Sequence, residues 1–159
     1  MKIIKTGIAR CDAKYHYDAI VSDCDYPGLI EHLWYSSPNG TISTHIGGRK
    51  VQMHRLIMNA PENMEVDHIN GNRLDNRREN LRLCNSSQNK CNRGARKDNK
   101  SGYKGVSWHK QRQKWTVRIM SPYGKYLSLG LYDDKKEAAL AYNKASVEHH
   151  GEFAFINKL

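Results

Sequence analysis

VDHINGNRLDNRRENLRLCNSSQN, residues 66–89, places a carboxylate (Asp67), an imidazole (His68) and two carboxamides (Asn80 and Asn89) within one short unit. A carboxylate and an amide oxygen are hard donors suited to Mg²⁺ or Mn²⁺, with waters and a phosphate filling the remaining positions. A histidine titrates near neutrality and can serve as a general base. On an extended strand Asp67 and His68 point to opposite faces. One can then reach a metal while the other faces water, provided the following loop bends both toward one phosphate. Taken alone, an Asp-His pair says little and Asn-Gly turns are common, so an ordinary surface turn remains open at this point.

The charge pattern around the stretch narrows the substrate. The 159-residue chain carries a net charge of +10. Residues 1–72 hold 7 Lys/Arg against 8 Asp/Glu, residues 73–125 hold 15 against 3, and residues 126–159 hold 4 against 5. The excess therefore starts inside the quoted stretch. It is interleaved with Tyr103, Trp108, Trp115, Tyr123 and Tyr126, whereas a disordered basic tail is poor in aromatics. A basic surface on folded, aromatic-bearing structure is the footprint of nucleic-acid binding.

Other classes are excluded or set aside. Mean hydropathy is −0.80, which predicts small separate cores rather than one large one. The apolar runs are too short to span a bilayer, and the N-terminal residues lack an apolar block of signal-peptide length. The expectation is a soluble intracellular protein. Cys11, Cys24, Cys84 and Cys91 include no closely spaced pair, so a structural zinc site is not expected.

Local signals predict a mixed α+β chain. Residues 15–22 read as a strand, Asp23 as the cap of a short helix over 25–32, and residues 33–35 as a strand. A turn follows at 36–40, then a β-branched strand over 41–46, a Gly47-Gly48 turn, and a strand or helix over 50–58. Val66-Asp67-His68 reads as a short strand and residues 78–92 as a helix. Residues 93–101 have no apolar period and read as a basic linker. Three short strands follow at 103–108, 114–120 and 126–132, separated by turns at 110–113 and 121–124. Asp133 or Asp134 caps a helix to about His150 with an Ala-rich apolar stripe, and Gly151 ends it.

His54-Arg55-Leu56-Ile57, Val66 to Asn72, Asp75 to Arg82 and Gln88-Asn89 resemble the HNH endonucleases of the His-Me finger (ββα-metal) type, closest to their phage and intron-encoded homing branch. The resemblance implies Asp67 and Asn89 as metal ligands, His68 as general base and Asn80 as the residue that shapes the loop. His54 is read as support for the site. Arg73, Arg77, Arg78 and Arg82 flank it as candidate phosphate contacts.

Residues 102–157 resemble the plant apetala-two (ethylene-response-factor) DNA-binding domain through Tyr103-Lys104-Gly105-Val106, Lys114-Trp115, Leu129 to Tyr132, Glu137-Ala138-Ala139, Ala141-Tyr142 and Phe155-Ile156-Asn157. This implies a three-stranded antiparallel sheet packed on one helix and laid in the major groove. Ser107 and Ser128 stand where the plant pattern has Arg and Trp, so the fold carries over better than the specificity. The DNA contacts expected are Lys104, Trp108, Lys110, Arg112, Lys114 and Arg118, with Trp115 in the core.

The expectation is therefore a nuclease domain over 1–92, a linker over 93–101 and a DNA-binding domain over 102–159. Its partner would be double-stranded DNA, bound as a monomer or transient dimer, with Mg²⁺ or Mn²⁺ as cofactor. A non-catalytic, sequence-specific DNA-binding regulator is the alternative.

Overall fold

A computed structural model describes residues 1–7, 17–121 and 123–159, and within it the chain divides into two compact units, Met1–Asn85 and Ser86–Leu159. Positions 15 and 16 of the first predicted strand, Cys11, and Pro122 of the last predicted turn lie outside the described residues.

The first unit is built from small antiparallel sheets. Strands β1 (Lys2–Ile4) and β2 (Ala19–Val21) pair with each other, and β3 (Tyr35–Ser36), β4 (Ile42–Ile46) and β5 (Arg49–Gln52) form a second sheet in that order. Between β2 and β3 lies helix α1 (Tyr26–Leu29). Asp25 occupies its N-cap position but gives no side-chain cap bond. The segment from residue 50 contains both predicted states, since β5 runs directly into helix α2 (Met53–Ile57). Their joint core is Ile4, Ala19, Val21, Leu29, Trp34, Ile42, Met53, Ile57, Val66 and Leu81. Trp34 is almost fully buried within it, with the indole N–H donating to the Leu29 carbonyl at 2.7 Å, which removes the penalty of burying that donor.

The predicted helix over 78–92 is corrected. A 3₁₀ turn covers Arg78–Asn80, a strand β7 covers Leu81–Cys84, and only Ser86–Asn92 is helical, as α3. Arg, Glu and Leu favour a helix locally, but β6 (Glu65–His68) needs a hydrogen-bonding partner for its backbone. It finds one in β7, with Glu65 opposite Cys84, Val66 opposite Leu83, Asp67 opposite Arg82 and His68 opposite Leu81. The buried Leu81 and Cys84 side chains repay that choice.

In the second unit, β8 (Val106–His109), β9 (Lys114–Met120) and β10 (Tyr126–Tyr132) form an antiparallel sheet in the order β10-β9-β8. Helix α4 (Lys135–His150) packs on one face through Ala138, Ala139, Tyr142 and Ala145 against Val106, Val117 and Ile119. The Ala-rich stripe lets helix and sheet approach closely. Asp134 caps the helix, its carboxylate accepting from the N–H groups of Lys136 (2.7 Å) and Glu137 (2.9 Å). Gly105 is required: at φ +77° a Cβ there would overlap the Tyr142 ring and come within 2.6 Å of the Arg118 carbonyl oxygen. Among the described residues no helix is long and apolar enough to cross a membrane.

Candidate active site

The site is a β-hairpin with a structured twelve-residue loop, residues 69–80. Asp67 and His68 end β6, and both are buried. Register puts Asp67 and Arg82 on one face and His68 with Leu81 on the other. Asp67 Oδ2 accepts from Arg82 Nε at 3.0 Å and Nη2 at 2.7 Å. This guanidinium compensates a carboxylate that burial would otherwise penalise heavily.

Asn80 organises the loop between the two strands. Its Oδ1 accepts from the Asn70 N–H at 3.0 Å, while its Nδ2 donates to Asn70 Oδ1 at 3.0 Å and to the Asp75 carbonyl at 2.7 Å. Further bonds close the turn: Gly71 N–H donates to the His68 carbonyl, and Asn70 Nδ2 donates to the Asp75 carboxylate. The loop is also tied to β2, where Ile20 N–H donates to the Leu74 carbonyl and Asn76 N–H to the Ile20 carbonyl.

The loop sets the state of His68. Asn76 is fully buried, and its Nδ2 donates to the Arg73 carbonyl at 3.1 Å, which turns Oδ1 the other way. That oxygen lies 3.4 Å from His68 Nε2, a long contact. Because Oδ1 can only accept, the contact calls for the proton on Nε2 and leaves the lone pair on Nδ1. Burial lowers the His68 pKa from its ordinary value, against smaller raising effects of Asn76 and Asp67. Burial thus favours the neutral ring, the form that a base needs. His54, on α2, stacks edge-on against it with ring centroids 5.1 Å apart, and burial beside His68 lowers its pKa to about 4.

Sequence reasoning missed three residues here. Asn76 holds His68, Asp75 anchors Arg77 and Asn70, and Arg55 locks the approach to β6. The Arg55 guanidinium donates to the carbonyls of Ala60, Pro61 and Met64. Nothing in the spacing distinguishes the inward Asn76 from the exposed Asn72. Arg55 stands next to His54 in the quoted motif, and that adjacency was the available signal.

The predicted basic contacts fall into two groups. Arg73 is exposed, at the rim of a cleft of about 350 Å³ between residues 38–40 and 71–74, and its guanidinium makes long contacts to Asn39 and Thr41. Lys110, Arg112 and Arg118 are also exposed. By contrast Arg77 pairs with Asp75 and Glu79, Arg78 with Asp25, Arg82 with Asp67, and Lys114 with Asp133. The Lys104 ammonium is turned toward the carbonyls of Lys90 and Cys91.

Trp108 is opposite Trp115 in the β8–β9 register, on the side of the sheet that faces α4, with ring centroids 5.0 Å apart. Trp115 packs against the core as expected, and Trp108 remains 47% exposed. The other face of the sheet carries Ser107 opposite Thr116 and Arg118 opposite Ser128. Asn89 lies on α3, which belongs to the second unit, whereas Asp67, His68 and Asn80 belong to the first.

Among the described residues no group of three or more His, Cys, Asp or Glu side chains could hold a metal ion. The site offers the Asp67 carboxylate together with carboxamides, and a second carboxylate, Asp75, that Arg77 and Asn70 already hold. That set fits a hard, partly hydrated cation such as Mg²⁺ or Mn²⁺ better than a thiolate- or imidazole-bound metal.

Two family models match the chain. A family model described as HNH endonuclease matches residues 52–91, and one described as AP2 domain matches residues 101–151. An uncharacterized HNH endonuclease of Acanthamoeba polyphaga mimivirus is 30% identical over 148 residues, which cover 89% of this chain and 75% of that protein. Protein 3.8 of Escherichia phage T7 is 36% identical over 94 residues, 59% of this chain and 76% of its own length. The ethylene-responsive transcription factor WRI1 of Arabidopsis thaliana is 43% identical over 58 residues, 36% of this chain and 14% of that protein.

Proposed function

The chain belongs to the HNH endonuclease family and carries an AP2 domain, and from that premise we propose that it hydrolyses phosphodiester bonds in duplex DNA, with His68 as general base and Asp67 and Asn89 as ligands of one divalent cation. The observation that carries the reading is His68: buried, with burial favouring its neutral form, and with Nε2 3.4 Å from the carboxamide oxygen of the fully buried Asn76, a contact that suits a proton on Nε2.

In this mechanism His68 Nδ1 takes a proton from the attacking water. Asn76 keeps the ring in one tautomer and His54 packs against it, so the base is aimed before substrate arrives. Asp67 supplies an anionic oxygen and Asn89 a neutral one to the cation. A cation held by Asp67 and Asn89 would supply neutralisation of the charge developing on the phosphate and on the leaving 3′ oxygen. Asn80 holds in shape the loop that follows His68. The strand–strand–helix order of β6, β7 and α3 supports the ββα-metal reading.

The domain division proposed is a nuclease unit over 1–92, a basic connector over 93–101 and a DNA-binding unit over 102–159. Arg73, Lys110, Arg112 and Arg118 are the proposed contacts to DNA, and their exposed cationic ends support this. The short Ser107, Thr116 and Ser128 leave Arg118 standing clear on the outer sheet face, in keeping with a sheet read into the major groove. Phosphate contacts of this kind make affinity fall with salt.

One observation favours a second reading. The Asp67–Arg82 ion pair would suit a purely structural carboxylate in a protein that binds DNA without cutting it. Incubation of the full chain with supercoiled and linear duplex DNA plus Mg²⁺ or Mn²⁺ separates the two. The nuclease reading expects cleavage, and a loss of about 10²–10⁴-fold in His68→Ala with affinity retained. Unchanged cleavage by His68→Ala removes the assignment of the base. A metal-independent gel shift with no cleavage of any duplex establishes the second reading.

A further inference from the structure

The helix that carries Asn89 is held at its C-terminal end by a residue of the DNA-binding module. Lys104 precedes β8, and its ammonium donates to the carbonyl of Cys91 at 2.5 Å and of Lys90 at 3.3 Å. Both carbonyls belong to the last turn of α3 (Ser86–Asn92), where carbonyls have no intrahelical partner. A cation at that end also opposes the negative pole of the helix dipole. The same ammonium lies 5.3 Å from the centre of the Phe155 ring. That ring covers Gly94 so closely that a Cβ there would meet it at 3.3 Å.

The backbone of Lys104 is fixed independently of its side chain. Its N–H donates to Asn157 Oδ1 at 2.7 Å, and its carbonyl accepts from Asn157 Nδ2 at 3.2 Å. Asn157 is in turn clasped by Asn143 of α4 through bonds of 2.8 and 3.0 Å. A run of direct contacts therefore connects α4, Asn157, Lys104 and the end of α3, all within the unit Ser86–Leu159. Burial lowers the Lys104 pKa to about 8, which marks an ammonium withdrawn from water. A lysine serving a DNA phosphate would keep a solvated, outward ammonium instead.

We propose that Lys104 is a positioning residue for cleavage: it anchors the helix that presents Asn89 to the DNA-binding module, so that the module carries this metal ligand with it as it seats on the duplex. The proposal rests on the reading of Asn89 as a metal ligand.

The test uses the full chain with Lys104→Met, Lys104→Arg and Phe155→Leu. Three quantities are read: amide hydrogen exchange in α3 without metal or DNA, DNA affinity across a salt series, and the Mn²⁺ concentration giving half-maximal cleavage on saturating DNA. Lys104→Met is expected to speed exchange in α3 by about tenfold while α4 stays protected. It is expected to raise the Mn²⁺ requirement by about tenfold, the scale on which supporting residues act on metal sites. Affinity for DNA should stay within about threefold, because no phosphate contact is lost. Lys104→Arg should recover most of both effects, and Phe155→Leu should shift both in the same direction by less.

Weakened DNA binding with α3 exchange unchanged would make Lys104 a phosphate contact and overturn the proposal. Faster α3 exchange with an unchanged Mn²⁺ requirement would reduce Lys104 to a structural tether and overturn it equally. If Lys104→Met does not fold, Phe155→Leu decides on the same readouts. Absence of cleavage by the wild-type chain would instead remove the reading of Asn89 as a ligand, while the exchange data would still judge the anchoring.

Discussion

Asn80→Ala is the substitution on which the account of the loop depends. Asn80 is 6% exposed and makes three bonds, one to the Asn70 N–H and two from its own Nδ2 to Asn70 Oδ1 and the Asp75 carbonyl. Truncation leaves the buried Asp75 carbonyl without this donor, a loss of about 1–3 kcal/mol. The two groups on Asn70 sit on an exposed residue and can turn to water, so each adds only about 0.5–1 kcal/mol. The expected destabilisation of the loop is therefore about 2–5 kcal/mol. Asn80→Asp keeps an acceptor for the Asn70 N–H but sets a carboxylate oxygen where Nδ2 meets the Asp75 carbonyl at 2.7 Å, so it should be no milder. The assay is amide exchange at Ile69 and Gly71, whose N–H groups bond the Asn80 and His68 carbonyls at 2.9 and 2.8 Å. A loop loosened by about 2–5 kcal/mol exchanges about 30- to 5,000-fold faster where it had been protected to that depth. Cleavage should fall with DNA affinity retained. Exchange at both amides within about twofold of wild type would refute the claim that Asn80 holds the loop.

Four further outcomes are expected. His54 is neutral in the folded chain with a pKa of about 4, while the unfolded chain takes up its proton near 6.5, so its contribution is complete above pH 6.5 and is lost as pH falls toward 4, up to about 3 kcal/mol. Melting at pH 7.5 and 4.5 should show this loss in the wild type and less of it in His54→Gln; equal slopes would contradict it. Gly105→Ala should cost about 3 kcal/mol or more, through the positive φ and the clash with Tyr142 and the Arg118 carbonyl, and a wild-type melting temperature for the second unit would disprove that crowding. Arg82→Met leaves the Asp67 carboxylate buried without this guanidinium, at about 3–5 kcal/mol, and added Mg²⁺ should raise its melting temperature more than that of the wild type. Asp134→Ala removes the cap of α4 for about 1 kcal/mol, to be read by urea denaturation, and no change in midpoint would show the cap to be idle.

The parts legible in the sequence were those that short-range chemistry dictates. Asp134 and Gly151 bracket α4 because a side-chain oxygen must serve the first N–H groups and a residue with positive φ must release the last carbonyls. The strands at 114–120 and 126–132 show in their apolar and β-branched residues, and the family motifs are ordered strings of side-chain types that survive without any coordinates. Asp67, His68 and Asn80 were all visible in this way.

Tertiary structure decided whatever depends on a distant partner. Leu81–Cys84 is a strand because β6 needs its backbone bonds, although its own residues favour a helix. Asn76 rather than Asn72 turns inward because β2 and the Arg73 carbonyl hold it there. Trp108 lies on the helix side of its sheet because register with Trp115 places it there. Lys104 ends at the carbonyls of α3 because Asn157 and Phe155 leave its long chain that direction. Composition specifies that a lysine or an asparagine carries donors, but only packing against residues far along the chain selects what those donors meet.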